Sequence, residues 1–276
     1  MLDRLIVVDS VTRLGPEAQG RVVIAGSHGG RYAAWLAARA RAAAVLLNDA
    51  GVGLDGAGIA GVMELAELGI PAASLSHRSC RIGDGYDMLG RGIVSHANAP
   101  AVALGVAPGM PCRDAARRLA RAPLPAGTLP DGVERRFPIE LPGTRRARAS
   151  ALDSAALLGP EDHGAIVVTG SHGALLGGRP DSAARHPVFA AFYNDADGGA
   201  DGAGYSRLPA LEAQGIAGAT YSAWTAQIGD GRAGYERGIV TCLNARGSAL
   251  GGRIGMSVRE LVLRFAEAAE KVSGRE

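Results

Sequence analysis

Along the first half of the chain, apolar and polar positions fall into short segments of alternating period. Residues 22–25 form an apolar run ending in a glycine-flanked turn, residues 32–42 have the spacing of a helix, and residues 44–47 are again continuously apolar. A short apolar run bounded by turn residues suits a strand buried on both faces, so these segments predict a βαβ unit. Residues 57–68 return to helical spacing and stop at Gly69, residues 72–76 and 92–95 read as strands, and residues 112–122 read as a helix after Pro111. Strands alternating with helices imply a mostly parallel sheet covered on both faces.

The second half repeats this order, and its polar residues repeat with it. Gly26, Ser27, His28 and Gly29 return as Gly170, Ser171, His172 and Gly173; Asn48 and Asp49 return as Asn194 and Asp195. Residues 55–58 match 201–204, 82–85 match 228–231, and 91–94 match 237–240. Between residues 48–99 and 194–245, 23 of 52 positions are identical, too many for chance resemblance. Each copy exceeds a solenoid unit in length, so the expected fold class is α/β, with two tandem homologous lobes of mostly parallel sheet and flanking helices, related by a pseudo-twofold axis. The expected division is a first repeat over residues 1–122, a Pro-, Gly- and Arg-rich linker over 123–148 with an extended strand near 133–141, and a second repeat over 149–276.

Charge removes the polymer-binding classes. Twenty-nine Lys and Arg balance 27 Asp and Glu for a formal +2, so nothing draws nucleic acid or an acidic membrane, and 4% aromatic residues make a poor stock of stacking platforms. Cys80, Cys112 and Cys242 form no close pair, which fits a reducing compartment. Asp3 and Arg4 precede only a short apolar run at residues 5–8, so neither export nor a membrane span is expected, and the chain reads as cytoplasmic. Lobes that already pair suggest a homo-oligomer.

Glycines shared by the copies need only a backbone reason, but shared polar residues at strand ends fall where α/β proteins bind ligands. His28, Asp49 and Asp55 are the candidate catalytic residues of the first copy, and His172, Asp195 and Asp201 those of the second. Ser27, Asn48 and Asp84, with Ser171, Asn194 and Asp230, are the accompanying substrate-binding candidates. Asp55 opens the helix predicted from residue 57, where it would cap free N–H groups or flank an oxyanion site. The cofactor is open, a divalent cation held by His28 with Asp49 or Asp55 being one candidate. The acidic loop at residues 195–201 has part of a calcium-loop pattern without the downstream bidentate Glu.

The copies also differ. His77, Arg78, Ser79, Cys80 and Arg81 stand against Ala223, Trp224, Thr225, Ala226 and Gln227, and His96 against Cys242. Cys80 near cationic groups is a candidate nucleophile, and Arg78 or Arg81 a candidate carboxylate clamp for a small, carboxylate-bearing substrate. The His–Gly turn followed by a polar strand end loosely resembles the caspase-like cysteine peptidases, but Ala50 and Ala196 stand where the catalytic Cys would be. The leading expectation is a hydrolase of a small amide, ester or lactam-like bond. A lyase or isomerase with one composite site and a non-enzymatic ligand-binding or scaffold protein are the alternatives.

Overall fold

The computed structural model describes residues 4–125 and 132–273; residues 126–131, within the expected linker, lie outside the described residues. The chain forms two compact units. The first comprises Met1–Val133 with Leu176–Gly178 and Ala196–Ala203; the second comprises Glu134–Leu175, Arg179–Asp195 and Gly204–Glu276.

The first unit is built on β1 (Leu5–Val8), β2 (Val22–His28), β3 (Ala44–Asn48), β4 (Ala72–Leu75) and β5 (Val94–Ala97), lying side by side in chain order. The first four are parallel and β5 runs antiparallel to β4, where Leu75 pairs with Val94 and Ser74 with His96, leaving Ser95 as an extra residue in a bulge. Its helices are α1 (Arg31–Arg39), α2 (Ala60–Glu64), α3 (Gly85–Arg91), α4 (Ala99–Ala103) and α5 (Cys112–Leu119). Side-chain alternation sorts the strands onto two cores. Val22, Ile24, Ala44, Leu46 and Leu75 face the layer that holds Met88 and Leu119, while Val23, Ala25, Val45 and Leu47 face Ala34, Ala37 and Val62.

The second unit repeats the plan with β7 (Ala149–Leu152), β8 (Ile166–His172), β9 (Ala190–Asn194) and β10 (Ala217–Tyr221) parallel, and β11 (Val240–Leu243) antiparallel to β10. An extra strand, β6 (Arg136–Ile139), pairs antiparallel with the outer edge of β7 and occupies part of the extended segment expected at 133–141. The helices are α6 (Arg207–Ala213), α7 (Gly231–Arg237), α8 (Ala245–Ala249) and α9 (Val258–Ser273). The fold is therefore α/β, with two sheets of five and six mostly parallel strands and two similar lobes that fit them. Among the described residues, no helix is long and apolar enough to cross a membrane.

The expected order fails at one place in the second lobe. Between β8 and β9, where the first lobe has α1, the chain makes only 3-10 turns at Leu176–Gly178 and Pro180–Ser182. Gly177 and Gly178 sit at φ 61° and 67°, and Pro180 and Pro187 interrupt what remains, so a helix cannot run through. The replacement is coordinated with a change on the next helix. In the first lobe α1 packs against α2 through Gly61, where an added Cβ would come within 2.5 Å of the Gly30 carbonyl and 2.7 Å of Ala34 Cβ. The corresponding residue in the second lobe is Arg207. Its buried guanidinium donates to the carbonyls of Ala174 (2.8 Å), Ser182 (3.0 Å) and Ala183 (2.7 Å) and lies over the Tyr193 ring at 4.5 Å. A helix-to-helix contact in one lobe is an arginine-to-loop contact in the other.

Gly61→Ala should therefore destabilise the protein although Ala is the better helix former. Overpacking costs about 1–3 kcal/mol, against at most about 1 kcal/mol gained from propensity, so a lower melting temperature is expected in thermal unfolding.

Candidate functional site

The parallel strands of the first unit end together, and the residues after β2, β3 and β4 share one edge of the sheet. His28 closes β2 in register with Asn48 at the end of β3, and Asp49 follows. The Asp49 backbone N–H bonds the Leu75 carbonyl at the end of β4, two residues before His77. Asp49 is buried, so its carboxylate must be satisfied by protein groups. Its Oδ1 accepts from the Gly51 N–H (3.1 Å), the His77 N–H (2.8 Å) and His77 Nδ1 (2.8 Å).

His77 has a second acid partner. Its Nε2 lies 3.1 Å from Oδ2 of Asp197, which belongs to the loop Ala196–Ala203 of the same unit. The loop is tied to the histidine by its backbone as well, the Ala200 N–H donating to the His77 carbonyl at 2.7 Å. Four consecutive residues, Ala196 to Gly199, take positive φ of 48°, 58°, 74° and 67°; Asp tolerates this region better than most side chains. Gly51 faces Asp197 so closely that a Cβ there would collide with the Asp197 Cβ. The result is a continuous Asp49–His77–Asp197 chain with a buried carboxylate at one end and a part-exposed one at the other.

Charge balance follows from this geometry. Burial pulls the His77 imidazole down, but the hydrogen bonds and charges of Asp49 and Asp197 together outweigh it, and the net shift is upward. Burial pushes Asp49 up, yet the His77 side chain and backbone and the Ser95 hydroxyl more than offset it, holding the carboxyl below its ordinary value. His28 behaves oppositely. Its Nδ1 accepts the Gly30 N–H at 3.1 Å, and burial without a counter-charge lowers its pKa to about 4, so it stays neutral with the proton on Nε2.

The remaining candidates are placed as follows. Ser27 and Ser171 are backbone ties, accepting the N–H of Val11 (3.0 Å) and Ala155 (2.9 Å). Asn48 accepts the Ala50 N–H and points its amide at Cys80 Sγ (3.7 Å), while Asn194 donates to the Ala226 carbonyl. Asp84 and Asp230 cap α3 and α7. Cys80 is buried and its thiol is pushed up to about 12, chiefly by burial, so it is not a thiolate at neutral pH. Arg81 is held by Asp84, Asp87 and Asp201, whereas Arg78 is exposed and lies 4.0 Å from Asp197.

Asp55 sits at φ 55° in a 3-10 turn, and α2 starts at Ala60 with Ile59 at its cap, so the helix start expected at residue 57 lies three residues later. Asp201 belongs to the first unit, where it pairs with Arg91 and Arg81. In the second unit His172 Nδ1 accepts the Ala174 N–H and Asp195 accepts the Ala223 N–H, with alanine where the first lobe has His77. Among the described residues, no three His, Cys, Asp or Glu side chains are arranged to hold a metal ion.

His77 and Asp197 lie outside the set of polar residues that the two copies share. The signal that marks them is difference: at the same offset their counterparts are Ala223 and Gly51, neither of which can carry a proton.

The opposed histidine shifts carry opposite pH signatures. His28, depressed to about 4, contributes stability that is full above the ordinary value of 6.5 and lost as pH falls toward 4. His77, raised above 6.5, contributes stability that is full below 6.5 and lost as pH climbs through its raised value. His28→Gln should flatten the acid-side decline in denaturant-unfolding stability, and Asp197→Asn should move the His77 titration, followed by NMR, to lower pH. No protein-family model, curated protein or solved structure matches this chain.

Proposed function

We propose that the first unit carries an acid–base site that hydrolyses an amide, ester or lactam-like bond in a small molecule. The observation that supports it is the Asp49–His77–Asp197 chain at the carboxyl edge of the sheet. Asp49 orients the imidazole through Nδ1, and the Nε2 side faces the part-exposed Asp197, which is where a water can be deprotonated and a leaving group protonated. Water is the nucleophile in this reading, because the one cysteine beside the site is buried and protonated. His28, neutral and carrying its proton on Nε2, supplies a hydrogen-bond donor from the neighbouring strand end for charge developing on a carbonyl oxygen.

The second unit keeps the buried Asp195 and its bond to the backbone but has Ala223 at the imidazole position, so the reading assigns the chemistry to the first unit. The test is product release from a panel of small esters, acyl amides and lactams. His77→Gln and Asp197→Asn should each lower kcat by about a hundredfold or more in protein that still folds, while Cys80→Ser should leave kcat unaltered. Native turnover in a folded His77→Gln variant would sink the assignment.

A further inference from the structure

The two lobes also differ at the other end of the strands. Leu5 and Val22 are the first residues of β1 and β2, and a cavity of about 530 Å³ opens beside them. Leu89 of α3 adds to its apolar wall, and Arg113, Ala116, Arg117 and Ala120 line it from one face of α5, spaced by three and four residues. Arg4, just ahead of β1, brings a third guanidinium, and among the described residues no acidic side chain lines the cavity. Small-molecule sites have this size and make-up, an apolar wall with a few charged or polar groups.

In the second lobe the chain fills the corresponding place itself. β6 lies along the outer edge of β7, the counterpart of β1, and Ile139 and Phe137 pack with Ala149, Ile166 and Val262. At the offsets that relate the copies, Tyr235 stands for Leu89 and Val262 for Ala116, each the larger side chain. Arg113 is kept as Arg259, but Leu263 stands for Arg117. Arg148, the counterpart of Arg4, donates to the carbonyls of Glu161 (2.7 Å) and His163 (2.8 Å). The lobe that closes this place with its own apolar side chains has a leucine where the open lobe has an arginine.

The arginines of the open lobe are held in position with donors to spare. Arg113 Nε donates to the Leu89 carbonyl (3.3 Å) and Arg4 Nη1 to the Ala120 carbonyl (3.2 Å). A guanidinium has five N–H donors, so one such bond fixes its place and leaves the others for a second acceptor. Arg117 pairs with Asp114 at 2.8 Å, an exposed ion pair of the kind that contributes little and gives way to a better acceptor. Among the described residues, that is the one ion pair made by any of the three arginines. Like charges around an apolar cavity repel, and an anion seated among them relieves the repulsion.

We infer that this cavity binds a small organic anion, a carboxylate or phosphate monoester on an apolar body. Arg113, Arg117 and Arg4 take the oxyanion group, for which the guanidinium fork is suited, and Leu5, Val22 and Leu89 take the body. The site is separate from the acid–base site, which lies at the carboxyl ends of the same strands, and does not rest on that reading.

The test is binding to the full-length protein, measured by calorimetry and located by 1H–15N NMR shifts. Octanoate and octyl phosphate are the probes, with octylamine as the same body of opposite charge and acetate as the head group alone. Saturable binding of either probe is expected, with shifts centred on Leu5, Leu89 and α5, and the ratio of the two affinities identifies the preferred head group. Arg113→Gln and Arg117→Leu should each weaken binding about tenfold or more, the loss of a charge-assisted hydrogen bond, and octylamine and acetate should be weaker than the probes by about as much. His77→Gln should bind as the native protein does. The proposal is overturned by saturable binding of neither probe, by octylamine binding as well as octanoate, by native affinity in a folded Arg113→Gln, Arg117→Leu double variant, or by weakened binding in His77→Gln.

Discussion

A carboxylate buried at the end of a parallel strand needs its charge met from inside the protein, and Asp49 imposes that demand on the whole carboxyl edge of the first sheet. Two of its donors are backbone N–H groups, from Gly51 and His77, so the same oxygen fixes the loop after β3 and the loop after β4. The imidazole then arrives already aligned. In the second unit Asp195 makes the equivalent bond to the Ala223 backbone. The buried acid is a scaffold in both lobes, and in the first a residue after β4 adds its imidazole.

Much of the fold was legible because it depends on local pattern. Continuous apolar runs at 22–25 and 44–47 became the central strands β2 and β3, since a strand covered on both faces admits no polar alternation. The missing α1 counterpart was written in Gly177, Gly178, Pro180 and Pro187, but shared Gly-Ser-His-Gly on its upstream side masked it. The antiparallel setting of β5 was not legible, because an apolar run carries no sign of direction.

The site was legible only in part, and for a different reason. Repetition identified Asp49, which does hold the arrangement together, and also Ser27, Asn48 and Asp84, whose partners are largely backbone groups or caps. Residues that keep a turn closed repeat for the same reason in both lobes. His77 and Asp197 are separated by 120 positions, and no periodicity connects them. Their meeting depends on a left-handed loop conformation that Gly198 and Gly199 permit, and on Gly51 leaving room for an aspartate opposite.

The slip at Ser95 makes the parity of β5 a chemical quantity. Insert or delete one residue between Val94 and Ala97 and each later side chain rotates to the opposite layer, sending an imidazole into hydrocarbon. Substitutions along this stretch act by degrees, whereas a change in its length acts as a step. The strand therefore tolerates variation in composition while forbidding variation in count.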